Sequence, residues 1–406
     1  MITRSVSTEN SLLWNLVLFA SLLGCRAAKD PVLEEWTTLA PELPQVEFGG
    51  EFVLDISDLV AIERANSNLP ALGGGIIVGD RILAMGVSGT RKATEDTPVT
   101  LNDQWHIGSI TKSVTATLTA ILIEEGVLSW DTVVTEVFPN DTIHEGWHDV
   151  RVIDLIRHRA GVSEPNLAAV VRGRTTELPP EIERVNWLFR DIFPEAPRSR
   201  EFHYSNGGYI LLGAMLEKLT DTPWQDLVRK HIFEPLQLSG SGFGAPQGDQ
   251  PWGHHYSQHT GPIPIFPSGM LADNPPVIGP AGTLHMTLRD LGRYVQEHLH
   301  LYNDRSDIWS GEAFDALHDP EEFSPPYAGG WAVDEDSPIL DSLFIHHNGS
   351  NSLWLAKAGF APDKNMVLFC TSNYFDRGKA DEVCQDLFEH IAHFEPILEH
   401  AEEGSE

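Results

Sequence analysis

Cysteine is scarce in this chain of 406 residues: there are three, Cys25, Cys370 and Cys384. That excludes a disulfide-stapled scaffold, so an apolar core has to hold the fold, and 41% hydrophobic content is ordinary for one. Basic residues are few as well, 27 Lys and Arg against 59 Asp and Glu, for a formal net charge of −32. So acidic a surface repels phosphate backbones and anionic headgroups, which excludes nucleic acid as a partner. A long hydrophobic run is also missing. The apolar stretch Leu12 to Leu23 is too short for a membrane span, which needs about 20 residues. No internal repeat and no long low-complexity segment is present.

The N-terminal stretch has another use. Arg4, the apolar segment and Leu22-Leu23-Gly24-Cys25 follow the pattern of an export signal ending in a lipobox. Residues 1–24 are expected as a lipoprotein signal peptide. Residues 25–49, with Pro31, Pro41 and Pro44, are expected as a linker or an edge-packed lead-in, 50–395 as the folded domain, and 396–406 as an acidic tail. The expected location is the periplasm or cell envelope, with membrane attachment through a lipidated Cys25. Cys370 lies in the run Met366-Val367-Leu368-Phe369-Cys370, a buried-strand pattern; a disulfide with Cys384 is open to an exported protein, but two buried free thiols are the preferred expectation.

Within the domain, Ile76-Ile77-Val78 and Ile82-Leu83-Ala84-Met85 flank the turn Gly79-Asp80, which reads as a β-hairpin. From residue 109 to about 300 the patterning is mainly helical. Val114, Leu118, Ile121 and Leu122 form one stripe and Leu288, Leu291, Val295 and Leu299 another, while Thr222-Pro223-Trp224-Gln225 reads as a capping box with Pro at the first helical position. Strand patterns return at Leu343–Ile345, Leu353–Ala356 and Met366–Thr371, before a closing helix marked by Ala380, Val383, Leu387 and Ile391. Strands at both ends with helices between predict an α+β fold. One antiparallel sheet is built from the two chain ends, is flanked by helices, and carries an inserted helical region at about 126–300.

Ser109-Ile110-Thr111-Lys112 is the most informative stretch. It places a hydroxyl and an amine one turn apart at a helix start, so Lys112 can activate Ser109 without a histidine. The helix N-terminus there also favours developing negative charge. Tyr204-Ser205-Asn206 stands just before the helix at Tyr209. An ammonium about 4 Å from a phenol supplies roughly 4 kcal/mol at an effective dielectric near 20. That equals a lowering of about three pKa units, so Tyr204 beside Lys112 is able to take the Ser109 proton, and either of the two can be the base in each step; Asn206 can hold Lys112 and a substrate carbonyl. His347-Asn348-Gly349 precedes a strand, and the N–H of Ser350 can join that of Ser109 as an oxyanion hole.

These three elements, in this order, resemble the serine β-lactamase and penicillin-binding-protein family, in the branch of class C β-lactamases, D,D-carboxypeptidases and lipase-like esterases. Leu155–Val162, His231–Leu236, Pro280–Thr283 and Arg289-Asp290-Leu291 add further matches, and the likeness covers roughly residues 50–395. It implies a β-lactamase/transpeptidase-like fold and an acyl-enzyme on Ser109, with Lys112 and Tyr204 as the proton-transfer pair and no cofactor. The substrate would be a small acyl compound or a peptidoglycan-like peptide. One departure bears on the substrate: His347 stands where β-lactamases usually have lysine, so no permanent cation awaits a substrate carboxylate. Esters and amide-like acyl donors are therefore expected ahead of β-lactams or D-alanyl-D-alanine peptides. A penicillin-binding sensor that acylates without turnover is a competing reading. His144-Glu145-Gly146-Trp147-His148 also matches the H-E-x-x-H zinc pattern. It carries a glycine inside and too little helix around it, so zinc peptidase chemistry ranks last.

Overall fold

The computed structural model describes residues 43–48, 51–140, 142–257, 259–321, 323–376, 378–394 and 397–398. The expected signal peptide, lipidated Cys25, most of the linker and most of the acidic tail lie outside the described residues. No helix among the described residues is long and apolar enough to cross a membrane. The chain starts with β1 (Gln45–Phe48) and β2 (Glu51–Asp55), then helix α1 (Ser57–Asn66); helices of ten or more residues are numbered here. The expected hairpin follows as β3 (Ala71–Val78) and β4 (Arg81–Gly89), with Val78 facing Arg81 across the turn. Gly79 takes the left-handed backbone that so short a turn needs, at φ 61°.

The middle of the chain supplies β5 (Gln104–His106), α2 (Thr111–Glu124), α3 (Asn206–Thr220), β6 (Gly242–Phe243), β7 (His254–His255) and β8 (Ile263–Pro264). It ends with β9 (Leu284–Thr287) and α4 (Leu288–Tyr302). The chain closes with β10 (Ala332–Ser337), β11 (Ser342–Ser350), β12 (Leu355–Ala361), β13 (Met366–Ser372) and α5 (Lys379–His393). Strands from both chain ends join in one eight-stranded sheet, ordered β1–β2–β4–β3–β13–β12–β11–β10. The fold class is therefore α+β as expected. The β2–β4 pair is parallel, and every other pairing in that sheet is antiparallel. A three-stranded sheet, β5–β9–β6, and the ribbon β7–β8 complete the strands among the described residues.

Helices cover both faces of the large sheet. Alternation along β13 sends Phe369 toward Gly292 of α4 and its neighbour Cys370 toward α5. Cys370 meets Cys384 there in a disulfide, with Cα atoms 5.6 Å apart. The expectation of free thiols is thus overturned. The two cysteines lie on separate elements, and only the packing of α5 on β13 brings their sulfurs together.

Helix α2 is buried at every residue from Thr111 to Leu122, not along one stripe. Its polar residues tolerate this because their hydroxyls turn back onto carbonyls. Thr117 donates to Ser113 O at 2.8 Å and Thr119 to Thr115 O at 2.8 Å, while Thr115 reaches Pro280 O at 2.6 Å. The capping box expected at Thr222 is not formed. Pro223 is the cap of the helix Trp224–Val228, and the Thr222 hydroxyl donates to Thr220 O instead. The strand expected from Leu353 begins at Leu355, since Ser352 (φ 74°) and the Leu353 N–H to Asn351 Oδ1 bond shape a turn there.

Candidate active site

A single 3₁₀ turn, Gly108–Ile110, precedes α2 and carries Ser109 half-buried at the helix start. Two close approaches fix that turn. A Cβ on Gly108, which has φ 51°, would lie 2.2 Å from Ser350 N, and one on Gly349 would lie 1.9 Å from Ile107 O. Only glycine on both sides lets the β11 backbone press against the Ser109 turn. That places the Ser350 and Ser109 amides on neighbouring backbones. Thr111 Oγ1 donates to Gly108 O at 2.6 Å and accepts from Leu284 N at 3.2 Å, tying the turn to β9.

Lys112 is fully buried. Its Nζ lies 3.1 Å from Ser109 Oγ, 2.7 Å from Asn206 Oδ1 and 2.8 Å from Ala281 O. Burial, opposed in part by the Glu164 carboxylate, lowers its pKa from 10.5 to about 7. A neutral amine has two protons and one lone pair. The amide and carbonyl oxygens can only accept, so both protons are committed to them and the lone pair faces the serine hydroxyl. This arrangement can take a proton from Ser109.

Asn206 opens α3, and Ser205 caps that helix by accepting from Gly208 N at 3.2 Å. Glu164 fixes the Asn206 side chain. The carboxylate accepts from Asn206 Nδ2 at 3.1 Å and from Asn206 N at 2.6 Å, which leaves Oδ1 turned to Lys112. Sequence reasoning missed Glu164, although it stands two residues beyond the matched segment ending at Val162.

Tyr204 packs against Lys112, whose Nζ sits 4.7 Å from the ring centroid. The expected lowering of its pKa is reversed. Burial and the nearby Glu164 charge raise it, and hydrogen bonding with Ser109 offsets only part of that. The notional ammonium is itself half-neutral near pH 7, and the ring is enclosed by other rings: His158 at 4.3 Å, His347 at 6.2 Å and Tyr327 at 6.3 Å between centroids. His158 is anchored at Nδ1 by Ser205 N at 3.1 Å.

His347 shares the strand face of Gly349, whereas Asn348 points away to Asp381 at 2.8 Å. Its Nε2 lies 3.1 Å from the Tyr327 hydroxyl, and burial first, then Lys112, lowers its pKa to about 3. It is a neutral wall residue near pH 7. Tyr327 was not singled out from sequence, since its isolated position in Pro325-Pro326-Tyr327-Ala328 carries no motif. The structure thus gathers Ser109, Lys112, Tyr204, Asn206, His347, Gly349 and Ser350 in one place. His144 and His148 flank the 3₁₀ turn Glu145–Trp147 as its two caps, and His144 Nδ1 accepts from Gly146 N. A single 3₁₀ turn cannot present the two rings on one helix face, as that zinc pattern requires.

Comparison with known proteins follows the same lines. The chain is 28% identical over 207 residues to penicillin-binding protein 4 of Amycolatopsis lactamdurans, covering 50% of this chain and 52% of that protein. It spans about half the length of the first curated relatives it matches. In fold it is similar to the octameric penicillin-binding protein homologue from Pyrococcus abyssi, at 22% identity and TM-score 0.66, covering 84% of this chain and 77% of that one. It is likewise similar to the D-amino acid amidase of Ochrobactrum anthropi SV3, at 19% identity and TM-score 0.65, covering 86% and 97%. The Beta-lactamase family profile matches residues 57–388, and the chain belongs to that family.

Proposed function

We propose that the chain is a serine acyl hydrolase that works through an acyl-enzyme on Ser109 and prefers acyl donors lacking a carboxylate near the scissile bond. The observation that carries this reading is the Lys112 amine, poised near pH 7 with its lone pair on Ser109 Oγ. Ser109 Oγ attacks the acyl carbon as its proton passes to Lys112 Nζ, and the amides of Ser109 and Ser350 receive the oxyanion. The intermediate then collapses, breaking the bond to the leaving group, which departs with a proton relayed from Lys112 through the still-protonated Tyr204. Water repeats the sequence on the ester and frees Ser109.

The preference rests on charge. A lysine facing a carboxylate at 4 Å gains roughly 4 kcal/mol at an effective dielectric near 20; the neutral His347 gains little of it. Glu164 adds a negative charge at the exposed edge of the site. Neutral or cationic esters and amides lose nothing by this, whereas penicillins and D-alanyl-D-alanine peptides do. The disulfide fits an oxidising compartment, in keeping with export. Mass spectrometry after fluorophosphonate treatment should find the adduct on Ser109 and none in Ser109→Ala. Matched esters with and without a free carboxylate test the preference. A higher kcat/KM for the carboxylate-bearing ester would move a β-lactamase or D,D-peptidase role ahead.

A further inference from the structure

A second cleft, of about 630 Å³, opens on the α4 side of the large sheet, within the size range of small-molecule sites. Leu343 and Ile345 of β11 line it, on the same strand face as His347 and Gly349 but nearer the β10–β11 turn. Its aromatic lining is the stacked pair Trp309 and Phe314, with ring centroids 6.3 Å apart, and the exposed Tyr302. Asp304, Asp315, Asp319 and Glu335 bring carboxylates to the same lining, and no lysine or arginine contributes. Arg157 reaches only the Asp319 carbonyl, at 3.1 Å, and its charge is met by Glu321. Trp309 and Phe314 are themselves buried and line the cleft as an apolar wall, so it is the carboxylates beside them, with the exposed Tyr302, that favour a cation.

The buried end of the cleft is His318, 7% exposed, and its bonding fixes what it can offer. Ser113 Oγ donates to Ile110 O at 2.8 Å and Thr117 Oγ1 to Ser113 O at 2.8 Å, so both hydroxyl protons are committed. Tyr294 Oη, 3.0 Å from Ser113 Oγ, must therefore donate there. His298 Nε2, 2.9 Å from Tyr294 Oη and 3.2 Å from Thr117 Oγ1, must carry the proton that joins it to them. Burial keeps His298 neutral, so its Nδ1 accepts from His318 Nε2 at 2.8 Å. Burial keeps His318 neutral too, with a pKa lowered to about 3. Its remaining nitrogen, Nδ1, is then an acceptor at the cleft, calling for a hydrogen-bond donor.

We propose that this cleft is a second ligand site, separate from the acyl site, for a small organic ammonium ion that has an apolar or aromatic body and at least one N–H. The aromatic pair takes the body, the carboxylates screen the charge, and His318 Nδ1 accepts the N–H. Calorimetric titration of the full chain with phenethylammonium at pH 7.5 tests this, alongside phenethyl alcohol and phenethyltrimethylammonium. Saturable one-to-one binding is expected. It should weaken at least ~10-fold in the double variant Asp315→Asn/Glu335→Gln, and persist in Glu164→Gln, which alters the acyl site instead. Unchanged ester hydrolysis by the double variant shows that it is folded. Both control compounds should bind more weakly. Absence of saturable binding, loss in Glu164→Gln with retention in the double variant, or equal binding of the trimethylated probe would each overturn the proposal.

Discussion

Lys112 on α2 and His347 on β11 occupy the same site, and burial acts on them alike. It takes Lys112 from 10.5 to about 7 and His347 from 6.5 to about 3. The starting points make the difference. The same displacement turns a lysine into a base at neutral pH and leaves a histidine as an uncharged wall whose protonation never matters there. A pocket that excludes water therefore selects chemistry through the residue type placed in it. In the proposed mechanism the helix side holds the group that moves protons, and the strand side holds the neutral surface and the backbone amides.

Substitution separates the two most strongly. Lys112→Met should cost ~10²- to 10⁴-fold in turnover, the scale of lost general-base help. His347→Gln, which keeps a neutral hydrogen-bonding group, should stay within ~10-fold of the parent on uncharged esters. Equal losses in kcat for p-nitrophenyl acetate would break the comparison and give His347 a proton-transfer role.

A smaller effect sharpens the lysine side. The Glu164 carboxylate raises the Lys112 pKa against burial, so Glu164→Gln should move the acidic limb of the kcat/KM profile to lower pH. The same change in His347→Gln would show that the limb does not report Lys112.

Stability responds as well, and its sign follows from proton uptake. Folded Lys112 binds fewer protons than the unfolded chain between about pH 7 and 10.5. Its destabilising contribution is thus full below about pH 7 and fades as pH rises to 10.5. The melting-temperature difference between Lys112→Met and the parent should shift in favour of the variant on going from pH 10 to pH 6. His347, with a folded pKa of about 3, has the same sign, but its contribution is already gone above pH 6.5. A pH-independent difference in Tm for Lys112→Met would mean that the amine is not held near neutrality.

The helix of Ser109, the Gly79-Asp80 hairpin and the sheet shared by the two chain ends were legible because each rests on local periodicity or turn chemistry. The motifs around Ser109, Tyr204 and His347 were legible because the spacing of Ser109 and Lys112 and the resemblance carried them. What escaped depends on neighbours distant in sequence. One ammonium alone would lower the Tyr204 pKa, whereas burial first, and the Glu164 charge after it, raise it. Glu164 itself has no motif, and its value lies in fixing the Asn206 amide 42 residues away. The Cys370–Cys384 bond likewise appears only once α5 is laid on β13.

The central claim, that a neutral Lys112 amine activates Ser109, is tested most directly by the rate of Ser109 modification by an uncharged fluorophosphonate across pH 5–9. The rate should rise with pH through an apparent pKa near 7, and the rise should vanish in Lys112→Met while remaining in His347→Gln. A rate flat across that range, or a limb that survives in Lys112→Met, would contradict the account.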